Sequence, residues 1–130
     1  MTDSPTTLLV GFDSAWTAHP LGAPTPARVF ETWPVLAMIA WGWTLPDKRA
    51  AGRLPKYNPT RRKTFSISDW QHVCRLTSGA LRKHGLAEIA RWVDDAAATD
   101  KPRKADQDRL DACVCLLVPG EWVRAFRLVA

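Results

Sequence analysis

The chain has 130 residues, 46% of them hydrophobic and 24% charged, with a formal net charge of +5 and a pI near 9.5. This length suits a single globular domain, and the basic balance favours a polyanionic partner. The three cysteines do not suggest a disulfide framework, no second Cys/His pair has the ligand spacing of a structural zinc site, and the longest apolar stretch, Val35 to Trp43, is too short to span a bilayer.

Residues 7–13 read as a strand, because Leu8, Leu9, Val10 and Phe12 are nearly continuous, as in a parallel strand covered on both faces. Residues 14–26 read as loop, and 27–31 as a second short strand that ends at Glu31. Pro34 then suits the first turn of a helix with Thr32 as its N-cap. Val35 to Trp41 is apolar all round, which predicts a buried helix ending near Gly42. Residues 44–65 form a long basic loop broken by Pro46, Gly52, Pro55 and Pro59. Ser66 to Asp69 marks the start of the next helix, with Asp in place of the Glu or Gln of a capping box. Its stripe is Ile67, Trp70, Val73, Cys74, Thr77 and Leu81, and Gly85 suits its C-cap. Residues 86–98 predict a second amphipathic helix, and Pro102 lies in a charged hinge. A further helix spans about 106–118, with Asp106 as N-cap and Pro119-Gly120 as its end; 121–129 predict one or two more helical turns.

Two acidic segments carry the most chemistry. Asp13 closes the first apolar run, and Asp108 and Asp111 lie three residues apart near the start of the last helix, hence on one face. Two carboxylate charges about 4 Å apart cost roughly 4 kcal/mol at an effective dielectric near 20. Such a group must protonate, separate or bind a cation, and Mg²⁺ or Mn²⁺ suits oxygen-only ligands. The plainer reading is that acids in a first helical turn complement the macrodipole, and that Asp13-Ser14 begins a turn. Glu31 could face the same edge as Asp13, or simply be a polar strand end.

The basic loop offers Lys48, Arg49, Arg53, Lys56, Arg61, Arg62 and Lys63 against the single acid Asp47. Lys56, Tyr57, Arg61, Arg62 and Lys63 form its candidate nucleic-acid grip: cations for phosphates, and a ring for stacking. The alternative is a solvated loop that keeps the protein soluble. Of the seven tryptophans, Trp16 and Trp70 are the candidates for stacking on bases, the others reading as core. His19, His72 and His84 are isolated and read as surface or helix-face residues.

The chain resembles the RNase H-like superfamily, and more narrowly an uncharacterised bacterial family of predicted RNase H-like nucleases. The resemblance rests on Gly11-Phe-Asp-Ser-Ala-Trp16, Val29-Phe-Glu-Thr-Trp-Pro34, Pro55 to Phe65, Asp69-Trp70 and Asp108-Arg-Leu-Asp-Ala112. It implies a reduced α/β fold over residues 1–130, with about two parallel strands and four to five helices. It also implies that Asp13, Asp108 and Asp111 hold a two-metal Mg²⁺ or Mn²⁺ site for phosphodiester hydrolysis and that the loop grips nucleic acid; Glu31 stays a catalytic candidate through its place at the end of the second strand. The chain looks internally truncated: seventeen residues separate Asp13 from Glu31, where the superfamily places several strands. At about 3.3 Å per residue those strands and turns do not fit.

The leading expectation is therefore a metal-dependent nuclease, with impaired activity if the truncation has damaged its site. The rivals are a non-catalytic nucleic-acid-binding module and an inactive remnant, with exposed sheet edges as a route to homo-oligomers. With no basic-apolar leader at the N-terminus and its thiols free, the expected setting is the cytoplasm, without membrane contact.

Overall fold

The computed structural model describes the backbone of residues 33–129 and side chains as far as Val118. Among these residues lie four helices: α1 (Pro34–Ala40), α2 (Ile67–Lys83), α3 (Ala87–Ala97) and α4 (Lys104–Val129). They contain no strand, and their only β pairing is the isolated bridge between Leu45 and Arg53.

This overturns the α/β expectation. The two strands expected at 7–13 and 27–31 lie outside the described residues. The core that is described closes by helix–helix packing instead. The apolar stripes of α2 and α3 face each other, and α4 lies against α1, α2 and α3. Trp70, Val73, Cys74 and Leu81 from α2 meet Ala90 and Val93 from α3, with Leu110 and Val114 from α4, all fully buried. Each large aliphatic side chain removed from water this way contributes roughly 1.5–3 kcal/mol. The association route through sheet edges likewise has no counterpart among the described residues.

Local signals set the helix ends. Ser66 caps α2: its Oγ accepts from the Asp69 N–H at 3.3 Å, a contact of a kind that contributes about 1 kcal/mol. At the other end Gly85 takes φ +78°. The Leu86 N–H returns to the Leu81 carbonyl and the Gly85 N–H to Arg82, which is the Schellman pattern. Gly42, at φ +72°, ends α1 the same way, with Trp43 N–H bonded to Met38 and Gly42 N–H to Ile39.

Four expectations change. The N-cap of α1 is Trp33, without a side-chain hydrogen bond, although Pro34 does occupy the first turn. Only Ala37 and Met38 of α1 are buried; Leu36 is 57% exposed and Ile39 49%. A seven-residue helix that packs on α4 turns just one face inward. Finally, α4 runs through Pro119-Gly120 instead of stopping there. A proline removes one backbone hydrogen bond but does not by itself end a helix. Asp106 acts from inside α4: its Oδ2 accepts the Arg103 N–H at 2.8 Å, the backward half of a capping box.

A polar clamp closes the α2–α3 pair. Ser78 Oγ donates to Asp94 Oδ1 at 2.6 Å, and Arg82 pairs with Asp94 Oδ2 at 2.6 Å. Arg82 also donates to Ser78 Oγ.

Candidate functional site

The basic loop is braced over much of its length. Leu45 and Arg53 exchange two backbone hydrogen bonds of 2.8 Å, and Thr44 Oγ1 donates to the Ala51 carbonyl at 2.8 Å. Gly52 makes this turn feasible: at φ +77°, an added Cβ would stand 2.5 Å from the Leu45 carbonyl oxygen. Farther along, Asn58 Oδ1 accepts from Thr60 N–H and Oγ1, and the Phe65 N–H returns to the Arg61 carbonyl.

Asp69 is the anchor. Its carboxylate takes Arg53 through two nitrogens, at 2.6 and 3.2 Å, and the Lys56 N–H at 2.8 Å. The Lys56 carbonyl accepts the Ser66 N–H at 2.9 Å, so Lys56 is held on both sides of its backbone. The hydrogen bond from Arg53 is the main cause holding the Asp69 carboxyl below its ordinary range, and burial opposes it. A depressed folded pKa stabilises above the unfolded value and is lost as pH falls through the folded one. Wild-type protein should therefore lose stability as pH drops below about 4, the ordinary aspartate range. Asp69→Asn should flatten that acid limb in melting curves; an unchanged limb would mean that the anchor does not matter.

Of the seven loop cations, Arg53 is thus structural. Lys48, Arg49, Lys56, Arg61, Arg62 and Lys63 are exposed. Arg49 leans toward Asp47 at 3.6 Å. Lys56, Arg61, Arg62 and Lys63 make no ion pair among the described residues, so their charges face solvent.

Extended backbone sends neighbouring side chains to opposite sides. Lys56 points out, and Tyr57 points in at 5% exposure. The Tyr57 ring is therefore buried, not open for stacking on a base. Its hydroxyl donates to Asp111 Oδ1 at 2.7 Å. Burial, then the Asp111 charge, pushes the phenol far above its usual range, so it remains a proton donor. Trp70 is also buried, with its Nε1 donating to the Ala96 carbonyl at 2.9 Å. Trp16 lies outside the described residues.

Asp108 and Asp111 share one face of α4. Asp111 is 9% exposed. Asp108 has a side chain 16% exposed and pairs with Lys104 Nζ at 3.0 Å. Lys104 also donates to Gln107 Oε1 at 3.0 Å. Lysine can only donate, so the Gln107 oxygen faces Lys104. Lys104 thus ties Asp108 to Gln107 in the first turns of α4, and Tyr57 reaches Asp111 from the loop. Sequence reasoning missed Lys104 and Gln107. The i, i+3 and i, i+4 spacings from Lys104 were visible, whereas the phenol that meets Asp111 is 54 residues from it.

Asp13 and Glu31 lie outside the described residues. Among the described ones, no three His, Cys, Asp or Glu side chains cluster as a metal site. The donor chemistry of Asp108 and Asp111 still suits a hard divalent cation: two carboxylates, one with a hydrogen-bonding phenol behind it. Cys74, Cys113 and Cys115 are not disulfide-bonded, and burial pushes Cys74 up to about 12 and Cys113 to about 11, which keeps those two protonated. His72 Nε2 meets the Trp43 carbonyl at 3.0 Å, half-buried between α2 and the loop. No helix among the described residues is long and apolar enough to cross a membrane.

Neither a curated protein nor a solved structure matches the chain, and the RNase H-like resemblance has no counterpart in these comparisons. One family model does match, over residues 12–125. That span runs from the end of the first apolar segment through the loop, the Tyr57–Asp111 contact and most of α4. The chain belongs to the family described as "Protein of unknown function (DUF429)".

Proposed function

We propose that this protein hydrolyses phosphodiester bonds in nucleic acid with the help of Mg²⁺ or Mn²⁺. The observation that carries this reading is the Tyr57–Asp111 hydrogen bond, which makes the basic loop and the acidic face of α4 one unit. Lys56, Arg61, Arg62 and Lys63 bind phosphates, and each phosphate neutralised on a duplex steepens the salt dependence by about 0.9 in log–log slope. Asp108 and Asp111, joined by Asp13, are the residues that would hold the cation. Lys104, half-exposed on a flexible stem, neutralises Asp108 until a stronger cation takes its place. A divalent ion there supplies an acidified water and charge stabilisation on the leaving oxygen. Glu31 is a further candidate acid for the same edge.

A second reading, nucleic-acid binding without cleavage, is favoured by the fact that both described acids have partners within the chain. One assay separates the two. End-labelled single-stranded and duplex DNA and RNA are incubated with the protein in Mn²⁺ or in EDTA, and binding is followed across salt concentration. Cleavage in Mn²⁺ that EDTA stops is the expected result. Steeply salt-dependent binding without cleavage would leave the binding module, and neither binding nor cleavage would sink both.

A further inference from the structure

We propose that the protein pairs with a second copy of itself across the groove between α3 and α4, as a two-fold dimer in which Glu88 of each copy meets Arg109 of the other. This association stands apart from the nuclease reading and uses helix faces, not sheet edges.

The groove follows from how the helices are patterned. The core stripe of α3 is Ala90, Val93 and Ala96. Ile89 and Trp92, three residues apart, form a second apolar strip beside it, and both stay half-buried. Cys113 adds a further half-buried apolar surface from α4. The two helices touch only lightly, which leaves a groove of about 450 Å³ lined by Glu88, Ile89, Trp92, Arg109 and Cys113. A small-molecule site of that size relies on a few enclosed polar groups to orient its ligand. Here the polar lining is Glu88 and Arg109, and both are exposed. An indole beside aliphatic surface, with an arginine at the rim, is instead the makeup of a protein interface.

The rim charges select the partner. Glu88 stands on the α3 wall and Arg109 on the α4 wall, and neither makes an ion pair among the described residues. A two-fold axis along the groove exchanges the two walls, so α3 of each copy lies over α4 of the other. Trp92 then packs against the facing Cys113 wall, and two Glu88–Arg109 pairs close at the rim. With a net charge of +5, two copies repel at long range; a groove that carries one acid and one base is a face on which they can meet.

Sedimentation of the full chain across micromolar concentrations should show a monomer–dimer equilibrium. Both rim residues are exposed, so Glu88→Arg and Arg109→Glu should each melt close to wild type. Either reversal alone sets like charges against each other at both ends of the pairing and should weaken the dimer at least about tenfold. Mixed one to one, the two variants carry complementary rims, and the dimer should return. A merely structural effect of either substitution could not give that recovery. A wild type that stays monomeric throughout overturns the proposal. So does a dimer that neither reversal weakens, or two monomeric variants that fail to recombine.

Discussion

Trp70→Ala is expected to destabilise the protein by about 3–5 kcal/mol, the cost of removing a large aromatic from a close-packed core. Trp70 is fully buried at the junction of α2 and α3, and its indole N–H satisfies the Ala96 carbonyl near the end of α3. Truncation opens a cavity and removes one of that carbonyl's two donors, the Thr99 N–H at 3.2 Å being the other. Against a total of roughly 5–15 kcal/mol for a domain, such a loss leaves little margin. Trp70→Phe isolates the polar part: most of the volume stays, one donor goes while the Thr99 N–H still serves the carbonyl, and about 0.5–1.5 kcal/mol should be lost. Urea denaturation of both variants checks this. A Trp70→Ala midpoint close to wild type would mean that the α2–α3 packing is not the centre of stability.

Asp111→Asn is expected to abolish Mn²⁺-dependent cleavage while leaving the fold intact. Asparagine keeps the shape and, through its Oδ1, still accepts from Tyr57. What disappears is the negative charge. Because the Tyr57 hydrogen bond is kept, the variant should melt close to wild type. Loss of activity with retained melting temperature thus separates a metal ligand from a structural residue. Asp13→Asn should behave alike in the cleavage assay. Full Mn²⁺-dependent activity in both variants would rule the acids out.

The extent of α2 was legible because its determinants are local. Ser66 at the start, the apolar stripe from Trp70 to Leu81 and Gly85 at the end act within one or two turns. The α3 span and the role of Gly42 were legible for the same reason. The length of α4 was misread: a proline lowers helix propensity, but it does not force a stop once the helix is formed on both sides. The exposure of α1 was misread as well. Its composition is apolar all round, yet composition does not say how many neighbours a helix will have. The α/β expectation failed as a resemblance carried over from short motifs, while the described core is built from helices alone.

The candidate site divides along the same line. The acids on one face of α4 and the density of cations in 44–65 follow from spacing and composition, since helix geometry and charge need no partner to be read. Which cation faces solvent and which is structural was decided by tertiary contact: Arg53 pairs its guanidinium with the buried Asp69, whereas Lys56 meets Asp69 only through its backbone N–H and keeps its side chain exposed. Tyr57, readable in sequence as a ring available for stacking, became the interior partner of Asp111. That pairing joins residues 54 positions apart, and only the folded packing of the loop against α4 brings them within 2.7 Å.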